Sequence, residues 1–473
     1  MAAGRPRTVK HPNDLLDHWL EKAGISNAAL AREVTRRARA AGERGINPSE
    51  GRVRAWRAGE VPRHPVPQLI ADCLAQHTGF PLTCADIGMP DRTTPITVAP
   101  DLAWQPATTI AAIEHLTRSE MMVPHSRNTD DAHTIHSGDD LLAPLHQWPT
   151  ATPSTLMARG GGHLGASDIE GIRTVTAMFR DADNRHGGRL SRTAVIAQMA
   201  DANALLRTAS YDEDTGRALF AAVADLGSVA GWMTFDAGMH QRAQKLFLAA
   251  LHAASEAGDK ALGAHILQCM ARQMSHLEHF EDALDLVCLA QYGARRHTTP
   301  AARSMLAALE ARFHAILGQT RESERAAGTA EEQFAAVSLG DEPAHMAWFD
   351  EAELCATIGV AHQIAAKHDG GSARVRKAEK SLHLLGRALE LRPAHRVRSK
   401  AFDHLGLART HLVTGEVSGA HQQAQTALAL FGAIGSTRVG DRLAELHDEA
   451  APYTPAPEAV ELREQIQDAV AAR

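Results

Sequence analysis

The sequence predicts an all-α protein, on three observations. Ala and Leu dominate its 473 residues, and aromatics are scarce, at 6 Trp, 3 Tyr and 11 Phe. Long Val/Ile/Thr/Tyr runs at short regular spacing, which β-sandwiches, propellers and barrels need, are missing. Apolar residues instead recur at helical spacing along most of the chain. A short helical head, a Pro/Thr-rich middle and a long helical body follow from the order of these patterns.

In the head, residues 1–92, Leu15, Leu16, Trp19 and Leu20 define a first helix over 13–23, ended by Gly24. Ser26 or Asn27 caps a second, which carries Leu30, Ala31 and Val34 and runs to Ala41 before Gly42 and Gly45 break it. Ser49 caps a third over 50–58, with Val53 and Trp56 pointing inward and Gly59 and Pro62 ending it. A fourth spans 67–77 on Leu69, Ile70, Cys73 and Leu74. Residues 93–165 read as a linker, partly disordered, with one helix over 107–121.

From 166 to 473 the chain reads as pairs of short amphipathic helices with an internal repeat. Gly238, Glu278 and Gly318 lie 40 residues apart, as do Ala243, Ala283 and Ser323, and Phe247, Val287 and Ala327. Small residues precede the turns by seven, at Gly231, Ala271 and Ala311. Small residues let paired helices approach closely, and larger ones fill the groove between pairs. Two more units follow, one ending with Pro393 and the other including Gly415.

The net charge of −7 divides unevenly. Residues 1–92 carry 14 Lys/Arg against 10 Asp/Glu, and the remaining 381 carry 35 against 46. A basic head on an acidic body is the layout expected of a DNA-reading module on a regulatory one. The five cysteines are scattered, without C-x-x-C, which points to a reducing cytoplasm and against a disulfide framework. No run of 18 apolar residues suggests a membrane span. No catalytic motif, phosphate loop or cofactor signature stands out, so an enzyme is not expected. His276 and His279 lack a visible third metal ligand.

Two segments carry a family resemblance. The repeat units, small–x₆–Gly–x₄–small–x₃–large, resemble tetratricopeptide repeats, with a period of 40 in place of about 34 and without the usual Trp. Asn27-Ala-Ala-Leu30-Ala31 and Val53 to Pro62 resemble the positioning and recognition helices of a phage-repressor (Xre/Cro-like) helix-turn-helix, with a longer connection between them. Together with Pro81–Met89, Asp341–Ala352, Arg438–Leu443 and Ala451–Tyr453, the whole is similar to actinobacterial regulators with an N-terminal helix-turn-helix and a C-terminal repeat domain. The resemblance implies a cytoplasmic transcriptional repressor of development or secondary metabolism, a homodimer on double-stranded operator DNA. Its α-solenoid of tetratricopeptide-like helix pairs would sense a peptide, protein or small-molecule signal. A repeat-protein adaptor that does not touch DNA is the alternative.

On this reading Ser49, Glu50 and Arg52 face base edges. Arg54, Arg57 and Arg63 meet phosphates, as does Asn27 at the start of the second helix, and Arg36, Arg37, Arg39 and Arg44 add backbone contacts. In the body, the 40-residue register puts Trp232, Arg272 and Arg312 at equivalent inward positions, with Arg409 in a later unit and Gln268 and His276 beside them. Two readings of this arginine ladder stay open. It binds an acidic ligand, or it pairs with the body's own carboxylates.

Overall fold

The computed structural model describes residues 12–43, 45–79, 82, 84, 86–89, 96–122, 135–153, 162–186, 191–434 and 436–472. The chain divides into two compact units, Met1–Ile96 and Thr97–Arg473. Among the described residues every element is a helix, as expected.

The first unit packs α1 (Asp14–Ala23), α2 (Asn27–Ala40), α3 (Glu50–Arg57) and α4 (Val66–Thr78) around Leu16, Leu30, Val34, Val53, Trp56, Ile70 and Leu74, all buried. Local chemistry sets the helix ends. The Asn13 side chain accepts from Leu16 N at 3.0 Å, and Ser26, rather than Asn27, accepts from Ala29 N at 3.2 Å. Asn13 also donates to the carbonyl of Ile87 at 2.9 Å, which ties the end of the unit to its start. Gly88 allows this closure, with φ of 67° and the Asn13 side chain where a Cβ would stand. α2 ends at Ala40 and α3 begins at Glu50, a longer connection than a tight turn needs. Arg44 lies outside the described residues.

The second unit is a helical repeat solenoid. Six antiparallel pairs follow one another among its described residues: α9 (Glu213–Asp236) with α10 (His240–Ala257), α11 (Lys260–His276) with α12 (Phe280–Ala294), and α13 (Pro300–Ile316) with α14 (Thr320–Phe334). Then come α15 (Glu351–His368) with α16 (Gly371–Leu391), α17 (Val397–Thr414) with α18 (Val417–Ala433), and α19 (Thr437–Ala450) with α20 (Pro457–Ala471). Asp212, Asp259, Thr299 and Asp350 each cap the first helix of a pair through the side chain. At Gly231 a Cβ would stand 2.6 Å from the Phe247 ring, so the small residue is what lets α9 and α10 close. One helix, α9, is long and apolar enough to cross a membrane by length and composition, but 78% of its apolar window is buried within the solenoid. It is the core helix of the first pair.

The turn glycines of the 40-residue register sit where the backbone needs them. Gly238 and Gly318 have φ of 79° and 74°, and Glu278, at the matching place in the intervening unit, has φ of 66°. Among the described residues Glu278 is the one non-glycine in this left-handed region. Glu278→Gly should therefore stabilise the body by about 0.5–1 kcal/mol, read as a raised urea midpoint at unchanged slope.

The expected linker over 93–165 is corrected by the structure. The helix over 107–121 is present as α5 (Pro106–Met122), and it packs on α8 (Arg192–Thr208) and α10. A further short helix, α6 (Asp139–Leu145), follows, and α7 (Ala166–His186) leads into the solenoid. Val98, Ile110, Ile113, Leu141, Leu145 and Trp148 are buried in the solenoid's own core. Segments of high average polarity thus bury their few apolar residues, which composition alone hides. Residues 93–95, 123–134 and 154–161 of this stretch lie outside the described residues.

Candidate functional site

Each unit contains one candidate site. In the first, α2 and α3 enclose an open groove of about 560 Å³. Arg32, Arg36 and Arg39 line one wall, at the i, i+4, i+7 spacing that puts them on a single face of α2. Leu30, Ala31, Val34 and Ala38 occupy the opposite, buried face. The other wall is Asn47, Pro48 and Glu50 at the start of α3, with Asn47 held by the Thr35 hydroxyl at 3.2 Å. Ser49 sits at the N-cap of α3, is exposed, and makes no capping bond through its side chain.

The arginines of α3 are placed differently from expectation. Arg54 pairs with Glu50 at 2.5 Å and Arg52 with Glu60 at 2.8 Å. Arg57, expected at a phosphate, is turned onto its own fold. Its Nε donates to Asp17 at 2.5 Å and its Nη1 to the Asn27 side chain at 3.3 Å, tying α3 to α1 and α2. Asn27 is thereby also engaged within the unit. All three pairs are part-exposed, so each is worth about 0–1 kcal/mol and exchanges readily for another anion. Arg63 is exposed beyond the end of α3. Sequence reasoning missed Arg32, although its spacing from Arg36 and Arg39 was the signal that could have found it.

In the solenoid, the first helices of the pairs line an internal cavity of two adjoining chambers, each about 160 Å³. Trp232 of α9 and Gln268 of α11 face one chamber, His276, Arg312 and Arg409 the other, and Arg272 both. All six residues read from the repeat register therefore meet at one place. Several further lining residues were not foreseen: Trp348, Glu353 of α15, Arg392, Phe402 of α17, and Arg438 and Arg442 of α19. The register could not reach them, because α15 begins 51 residues after α13.

The cavity closes where the last pair returns to the first. Asp236, at the end of α9 and fully buried, accepts from Arg398 Nη1, Arg438 Nε and the Ser436 hydroxyl, each at 2.8 Å. Burial raises the Asp236 carboxyl, and the two guanidiniums more than offset that, leaving it below the usual carboxylate range. Arg398 also grips Asp183 of α7 at 2.8 Å.

Pairing with the body's own acids accounts for part of the arginine ladder. Arg409 is bonded to Glu445 and Glu449. Arg272 lies 5.1 Å above the Trp348 ring, with Glu353 at 3.6 Å. Arg392 holds Glu353 and Asp403, each at 2.8 Å. Among the described residues Arg312 makes no ion pair, its buried Nε has no hydrogen-bond partner, and the same is true of the buried Nη2 of Arg272. Burial, and then the charges of Arg442, Arg272 and Arg409, push the Arg312 guanidinium down to about 9, still protonated at neutral pH. Next to His276, with ring centres 5.4 Å apart, burial and then that neighbour push His240 down to about 4. Among the described residues no group of three or more His, Cys, Asp or Glu is placed to hold a metal ion, and His276 faces Asp441 at 3.2 Å.

The family model described as SP15 N-terminal domain matches residues 16–90, which is the first unit almost to its ends. No curated protein matches the chain.

Proposed function

We propose that the chain is a DNA-binding transcriptional regulator whose first unit grips duplex DNA through the α2–α3 groove and whose solenoid receives a signal. The observation that carries this reading is the stripe of Arg32, Arg36 and Arg39 facing the uncapped N-terminus of α3. Guanidiniums on a helix face suit the regular charges of a phosphate backbone. The start of α3, with Ser49, Glu50 and Arg52 exposed, is narrow enough to approach base edges in a major groove. Because Arg36 is 68% exposed in its pair with Glu33, a phosphate can replace that carboxylate at little cost.

An adaptor role without DNA is the second reading. It is favoured by Arg52, Arg54 and Arg57 each having a carboxylate partner already. Electrophoretic mobility shift of genomic fragments at low salt separates the two. The regulator reading expects retardation, weakened at least about tenfold in the Arg32/Arg36/Arg39 triple alanine variant. That variant's log–log salt slope should be shallower by about 3, since each lost phosphate contact removes about 0.9. No retardation at low salt leaves the adaptor.

A further inference from the structure

The solenoid cavity has features that self-pairing does not explain. Arg312 projects into it from α13 without a carboxylate, and Arg272 keeps one buried nitrogen unpartnered. Glu445, the acid that acts on Arg312, is already shared between Arg409 and Arg442. Arg312 is half-buried, and a guanidinium held there among other guanidiniums, without a carboxylate and with its Nε buried and unpartnered, is costly next to an apolar replacement. Such a group is explained by an anion that completes it.

Size and shape narrow the anion. Two adjoining chambers of about 160 Å³ each suit a small metabolite better than a folded partner. The guanidiniums come from different helices, Arg272 from α11, Arg312 from α13, Arg409 from α17 and Arg442 from α19, and so approach from several directions. A carboxylate offers two oxygens in one plane. A phosphoryl group offers three oxygens in a tetrahedral array and close to two charges, which fits donors arriving from separate helices. The adjoining chamber is lined by Trp232, Trp348 and Phe402, none of them fully buried, with Arg438 over the Trp232 ring and Arg272 over the Trp348 ring, a mixed aromatic and guanidinium lining that suits a planar ring.

We propose that the cavity binds a small phosphorylated metabolite, its phosphoryl group held by Arg312 and Arg272 and its planar organic part set against Trp232, Trp348 and Phe402. This holds whether or not the first unit binds DNA.

Thermal denaturation and titration calorimetry on the full chain test it, with inorganic phosphate, adenosine monophosphate, adenosine and succinate as probes. Phosphate and adenosine monophosphate should raise the solenoid's Tm, the nucleotide more strongly and with Kd tighter than about 1 mM. Adenosine and succinate should not. Arg312→Met should raise Tm without any probe and weaken nucleotide binding at least about tenfold. Arg325→Gln, an exposed change on the neighbouring α14, should leave both unchanged. A probe-free loss of Tm in Arg312→Met would mark the side chain as structural and overturn the proposal. So would an undiminished nucleotide shift in that variant, an equal response to succinate, or no response to either phosphate probe. The Arg32/Arg36/Arg39 variant should keep the full shift, and losing it there would move the phosphate to the first unit.

Discussion

Asp236→Ala should destabilise the solenoid by about 3–5 kcal/mol, read by urea denaturation of the full chain. The carboxylate is 0% exposed and compensates two guanidiniums that are themselves enclosed, Arg398 and Arg438. Removing it leaves Arg438 without its carboxylate, takes one of two from Arg398, and frees the Ser436 hydroxyl. Arg398 keeps Asp183, whereas among the described residues no other ion pair is made by Arg438, whose guanidinium lies 4.6 Å from the Trp232 ring centre. Asp236→Asn keeps the shape and removes the charge, so it should cost most of the same amount. Replacing Asp236, Arg398 and Arg438 together by apolar residues of similar volume should recover much of the loss, because the penalty comes from uncompensated charge more than from the pairs themselves. A cost of Asp236→Ala below about 1 kcal/mol would mean that the last pair does not depend on this carboxylate to meet the first.

That closure was not legible in the sequence, for a physical reason. Asp236 and Arg438 are 202 residues apart, and neither stands out locally. Trp232, Arg272 and Arg312 were legible because consecutive units of equal length put equivalent side chains on the same inward face. Where unit length changes, as between α13 and α15, the register fails, and Glu353 and the arginines beyond it dropped out of view. Charge balance misled in the same way at α3. Arg52, Arg54 and Arg57 are expected at DNA, but Glu60 and Asp17 reach two of them from elsewhere in the unit and Glu50 holds the third. Only the stripe on α2 keeps its spacing signal through folding, since i, i+4 and i+7 share a helix face whatever packs behind them.

Trp148→Ala should cost the solenoid about 3–5 kcal/mol, although Trp148 lies in a segment whose composition reads as a linker. The indole is 0% exposed and lies between α11 and α12. Gly263 makes room for it on α11, where a Cβ would stand 2.6 Å from the ring, and Gly293 does so on α12. Lys260 fixes the segment from outside, donating to the carbonyls of Trp148 at 2.5 Å and Ala151 at 3.1 Å. Truncation would leave a cavity walled by two glycine-faced helices that cannot collapse without shifting whole pairs, so little of the loss is recovered by relaxation. A Trp in a true linker would be exposed, and its removal would fall within about 0.5 kcal/mol of zero. The two cases differ by several kcal/mol in one urea titration. Gly293→Val supplies the reverse test, since it overfills the same site from the helix side and should destabilise the wild-type chain by about 1–3 kcal/mol. In the Trp148→Ala background the same valine enters vacated space and should cost much less, a coupling that arises only if ring and glycine share one packed site.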